Sequence, residues 1–171
     1  ECTACTEGRF ADQAGATECS ACPVAFHADR TAQPVCKNCP RGFFGGCVKA
    51  SECLKCAEGQ YTGQEQMSEC VRCAAGKYAG VRGKSQCRDC ASGTHMATSA
   101  ASSCRQCSTG YFANSTATLD CSGCAPGSHQ DYGRDSSLPR DLTTVLGLAM
   151  TFGKSSCKDC GLGRFTPSNR Q

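Results

Sequence analysis

The chain has no tryptophan, three methionines, and aromatic side chains at only 6% of its 171 residues. So little large apolar material excludes a sizeable hydrophobic core, because ordering each residue costs about 1 to 2 kcal/mol that burial must offset. Its longest apolar run, TTVLGLAMTF at 143–152, is about half the length of a membrane-spanning helix. No basic leader followed by an apolar stretch opens the sequence, and it starts at Glu1 rather than Met, so either a leading segment has been removed or the sequence is part of a longer chain. Formal charge is +3, too weak a bias to demand nucleic acid or an anionic membrane as partner. Paired carboxylates, an activated nucleophile and a phosphate-binding loop are also missing, so no enzymatic chemistry is assigned and no cofactor is expected. No window carries the 3.6-residue apolar period of a helix.

What the chain does have is sulfur: 19 cysteines, several times the usual share. A C-x2-C pair begins at Cys2, Cys19, Cys36, Cys53, Cys70, Cys87, Cys104 and Cys121, always seventeen residues apart. A ninth pair, Cys157 and Cys160, arrives nineteen residues later than that step requires. The organisation read from this register is a tandem array over 1–137, an insertion at 138–156 within the eighth repeat, and an incomplete ninth repeat over 157–171. Cross-links or metals must stand in for the absent core.

Between pairs, thirteen residues form a loop with two further fixed positions. The third residue after the cysteine is glycine at Gly8, Gly42, Gly59, Gly76, Gly93, Gly110, Gly127 and Gly163, with Ala25 the exception. Such a column marks a turn with positive φ or a close backbone approach. Two residues on stands a flat ring: Phe10, His27, Phe44, Tyr61, Tyr78, His95, Phe112, His129 and Phe165. One ring per repeat is read as a miniature core lying over a disulfide or over the next repeat's backbone. All three histidines fall in this column without a second histidine or carboxylate at ligand spacing, so they read as substituted aromatics rather than as metal or catalytic groups. Short two-stranded ribbons and turns are expected throughout, with one short helix in the insertion capped by Asp141.

Two chemistries fit evenly spaced C-x2-C pairs. Zinc knuckles use the same spacing, but they come as discrete pairs of pairs with linkers, and nine pairs in one unbroken period leave one pair over. Disulfides suit the regular period better and place the chain in an oxidising, extracellular or cell-surface setting. The tripeptide Asn114-Ser115-Thr116 agrees, as an N-glycosylation acceptor. Cys47 interrupts a loop where no other repeat has cysteine; it is a candidate for an intermolecular bond or for a local rearrangement with a neighbouring pair. In the insertion, Leu146 and Leu148 are expected to dock on a neighbouring repeat or subunit.

The pattern C-x2-G-x-[FYH]-x8-C followed by x2-C resembles the ephrin-receptor-like and tumour-necrosis-factor-receptor-like cysteine-rich repeats, themselves related to EGF-like modules. The resemblance covers essentially the whole chain outside the insertion. It implies a ladder in which the second cysteine of each pair bonds the first of the next: Cys5 to Cys19, Cys22 to Cys36, Cys39 to Cys53, Cys56 to Cys70, Cys73 to Cys87, Cys90 to Cys104, Cys107 to Cys121 and Cys124 to Cys157. An EGF-like alternative joins first cysteines to first and second to second. On the ladder reading Cys2 and Cys160 are left as two halves of one rung, which head-to-tail stacking of copies would complete. The expected molecule is a small disulfide-rich solenoid or rod, each repeat touching only its neighbours, with a structural or adhesive function as a filament of itself. The second reading is a receptor ectodomain binding another extracellular protein. Neither reading involves nucleic acid or a membrane span within this chain.

Overall fold

The computed structural model describes residues 1–129 and 156–162. Its regular structure there is eight two-residue antiparallel hairpins with no helix, one hairpin per loop. The first joins Arg9–Phe10 to Ser20–Ala21, and the last joins Ser128–His129 to Lys158–Asp159. In every hairpin the ring residue lies opposite the first residue between the next two paired cysteines, as Phe10 opposite Ser20 and Tyr61 opposite Val71. The helix expected after Asp141 and the leucines Leu146 and Leu148 lie outside the described residues, as do Gly163 and Phe165.

Each hairpin is entered by a tight turn. The Arg9 N–H donates to the Thr6 carbonyl at 3.1 Å, and the same bond recurs from Phe26 to Pro23, Phe43 to Pro40 and Gln60 to Ala57. The third residue of each turn has positive φ, +76° at Gly8 and +84° at Gly42, which is what a type II turn requires and what glycine adopts without steric cost. Ala25 keeps the same conformation, with φ of +70°, despite its methyl group.

Loops are stacked by their main chain. At the first junction Gly8 N–H donates to Ala28 C=O (2.9 Å), Ala11 N–H to Gln33 C=O (3.2 Å), and Ala32 N–H to Cys5 C=O (2.8 Å). This set of three repeats, seventeen residues on each time, at six successive junctions as far as Ala117 N–H to Cys90 C=O. No side chain has to match, so loops of quite different sequence stack alike.

Contacts also reach further than nearest neighbours, which corrects one expectation. A β-carbon built on Gly8 would lie 2.1 Å from the Lys49 carbonyl oxygen, two loops along, and one on Gly59 would lie 2.0 Å from that of Ala100. Gly8, Gly42, Gly59 and Gly76 are thus each roofed by a carbonyl of the next loop but one. The roofing residues Lys49, Gly83, Ala100 and Ala117 belong to a second column of positive φ: Gly15, Ala32, Lys49, Gln66, Gly83, Ala100 and Ala117. Five of the seven are not glycine and carry the left-handed conformation at a cost of about 1 to 2 kcal/mol each. Their N–H groups from Ala32 onward make the third junction bond described above, which holds them there.

The miniature core also differs from expectation. The rings are only half-buried, from Phe10 to Phe112. The fully enclosed side chains are the second cysteines of the pairs, Cys22, Cys39, Cys56, Cys73 and Cys90, and the residue after each ring: Ala28, Thr62 and Ala79. The stack is tight at Gly45 of this column, where a β-carbon would lie 3.0 Å from the Ala25 nitrogen and 3.1 Å from the Cys39 sulfur. Thr62, the one buried polar side chain among the described residues, accepts from Gly42 N–H at 2.7 Å and donates to Phe43 C=O at 3.3 Å. Its hydroxyl is therefore satisfied, as burial demands.

Candidate functional site

Eight disulfides run along the stack, each joining the second cysteine of one pair to the first of the next, from Cys5–Cys19 to Cys124–Cys157. Seven close a separation of 14 residues and the eighth a separation of 33, yet its Cα–Cα distance of 5.8 Å matches that of Cys107–Cys121. The sulfurs at the two ends of this longer sequence interval therefore keep the Cα spacing of an ordinary rung. On the chain-entropy model each short rung contributes about 3 kcal/mol. With sixteen cysteines oxidised, no four-cysteine zinc site exists among the described residues, since the metal binds thiolates.

Each of the first seven rungs has an inner and an outer sulfur. The inner cysteine is buried, as Cys39 and Cys56 at 0% exposure, whereas the outer one, Cys53 or Cys70, is half-buried. Two ring residues approach these outer sulfurs closely: His27 Nδ1 lies 3.2 Å from Cys53 Sγ, and His95 Nδ1 lies 3.1 Å from Cys121 Sγ. In each case the ring belongs to one loop and the disulfide to the next. His27 with Cys39 and Cys53, and His95 with Cys107 and Cys121, make two clusters whose ligand atoms all lie within 4.8 Å of one another. Sequence spacing hid them, because the partners stand 12 and 26 residues from the histidine. The legible signal was the ring column itself, which sets a histidine beside the following rung.

Three cysteines stand outside the eight bonds. Cys2 and Cys47 are exposed, and Cys160 is half-buried with its N–H donating to Gly127 C=O at 2.8 Å. Asn114, Ser115 and Thr116 are all exposed, so the glycosylation acceptor is open to solvent. A shallow, open recess is lined by Tyr78, Gly80, Val81, Lys84 and Arg88 and has none of the enclosure of a small-molecule site. Two exposed ion pairs, Lys37 with Asp29 at 2.8 Å and Lys77 with Asp89, tie side chains across hairpins. No described helix is long and apolar enough to cross a membrane.

A string of small hairpins cross-linked rung by rung defines a disulfide-rich repeat rod of the kind found in extracellular proteins. The family model described as tyrosine-protein kinase ephrin type A/B receptor-like matches residues 1–33, the first loop and most of the second. That family is a receptor-like cysteine-rich domain rather than an enzyme family, and together with the disulfides it supports an extracellular location. No curated protein matches the chain.

Proposed function

We propose that the chain is a structural rod of the extracellular space that extends itself by stacking head to tail on further copies. The supporting observation is that six successive junctions use the same three main-chain bonds. Loop 2 meets loop 1 through the carbonyls of Ala28 and Gln33 and the N–H of Ala32. At the same register positions loop 1 carries the carbonyls of Ala11 and Ala16 and the N–H of Gly15, on residues that are half-buried or exposed. A final loop from another copy supplies the complementary groups without any change of side chain, giving a heterologous contact that propagates as a filament. Cys2 and Cys47, both exposed, are the sulfurs open to a covalent bond between copies.

Light scattering across a concentration series, with electron microscopy of the same samples, tests this. Self-association is expected, rising with concentration. A chain that stays monomeric at millimolar concentration overturns the filament. That outcome favours the second reading, a receptor ectodomain binding an extracellular protein, which the receptor-like match over residues 1–33 supports.

A further inference from the structure

We propose that two of the eight rungs, Cys39–Cys53 and Cys107–Cys121, are sites of thiol–disulfide exchange with small thiols, selected by His27 and His95. A disulfide sulfur carries no hydrogen, so in the contacts of 3.2 Å and 3.1 Å the imidazole Nδ1–H is the donor and Cys53 or Cys121 Sγ the acceptor. That bond draws electron density from the sulfur that an incoming thiolate must attack. The second sulfur of each rung also lies within 4.8 Å of the ring nitrogen, so the imidazole remains close to the negative charge that develops there as the S–S bond breaks.

Accessibility sets the direction. Cys39 is fully buried and Cys107 is 8% exposed, whereas Cys53 and Cys121 are half-buried, so attack falls on the outer sulfur. A thiol RSH loses its proton and attacks Cys53 Sγ as RS⁻. The RS–Sγ bond forms as the Cys39–Cys53 bond breaks, and the electron pair passes to Cys39 Sγ. That sulfur then takes up the proton the thiol released. The products are a mixed disulfide on Cys53 and a thiol on Cys39, with no net redox change; Cys121 and Cys107 react the same way.

Internal controls are built into the chain. Outer sulfurs Cys70, Cys87 and Cys104 are half-buried like Cys53, but the ring column places Phe44, Tyr61 and Tyr78 before them, rings with no N–H to donate. Phenylalanine occupies the column in the first, third and seventh loops, so His27→Phe and His95→Phe suit the fold.

The full chain, with its pre-existing thiols blocked by one alkylating reagent, is exposed to glutathione, quenched with a second reagent of different mass, and mapped by mass spectrometry. Glutathione is expected on Cys53 and Cys121 roughly fivefold faster than on Cys70, Cys87 or Cys104, the half-exposed hydrogen bond being discounted for solvent. His27→Phe should bring Cys53 alone to the control rate and leave Cys121 fast. Equal rates at all five outer sulfurs overturn the proposal, as does a His27→Phe chain in which Cys53 keeps its advantage. The first comparison is made within the unmodified chain and stands whether or not a variant folds.

Discussion

Gly59 and Gly110 hold the same place in loops 4 and 7, with φ of +76° and +83°, but a methyl on the first would lie 2.0 Å from the Ala100 carbonyl oxygen, and one on the second would meet nothing within 4 Å among the described residues. The local demand is identical and the long-range demand is not. Counting forty-one residues on from Gly59 reaches the roofing residue Ala100, whereas the same count from Gly110 leads outside the described residues. The glycine column therefore satisfies two separate requirements among the described residues, a left-handed turn throughout and a close passage of main chain at Gly8, Gly42, Gly59 and Gly76.

Substitutions separate the two. Gly59→Ala must push apart two loops that are each held by main-chain bonds, and adds left-handed strain; it should cost about 4 kcal/mol, read by denaturant melts of the stack. Gly110→Ala retains only the conformational strain, about 1 to 2 kcal/mol. Equal losses at the two positions would mean the roof yields freely and the contrast is local after all. Ala25 is the complementary case, a residue with φ of +70° that already bears a methyl in the turn. Ala25→Gly relieves the strain while loosening the unfolded chain, for a net gain of about 0.5 kcal/mol in the same melts.

The smallest effect belongs to the ion pair outside the stack. The Lys37 ammonium, through its hydrogen bond, holds the Asp29 carboxyl below the usual value of 3.8. A lowered folded value means that any stability the pair adds is present above that value and is lost as pH falls through the lowered one. Both side chains are largely in water, where such pairs contribute little. Asp29→Asn is expected to leave the melting temperature unchanged at neutral pH and to match the parent chain on acidification through about pH 4 to 2. A clear difference between the two acid titrations would put the hairpin surface, rather than the main-chain stack, in charge of stability.

The seventeen-residue step, the turn glycines and the hairpin class were legible in the sequence because each leaves a mark at a fixed position. The roofing column was not. Five of its seven residues are alanine, lysine or glutamine, since a hydrogen bond to a cysteine carbonyl, rather than the residue's own preference, fixes the conformation. Nor was the enclosed position after the ring, occupied by Ala28, Gly45, Thr62, Ala79, Met96 and Ala113; the side chains there range from none to methionine, which leaves no mark beside a column of rings. The histidine clusters were missed for a related reason, as His27 meets a bond formed by the following loop, a neighbour that only the stacking supplies.

Mechanically, the rungs make the rod nearly inextensible. Under tension the load crosses each loop through its disulfide, over a Cα–Cα span of 5.7 Å at Cys73–Cys87, and then along the short link to the next pair. Pulled taut, a seventeen-residue repeat measures about 16 Å with its rung closed and about 60 Å with it open, so one exchanged disulfide releases about 40 Å of slack. Opening the two rungs beside His27 and His95 would let out length at two chosen points while the loops between them stay locked, which turns a stiff spacer into a tether whose reach is set by the thiols around it.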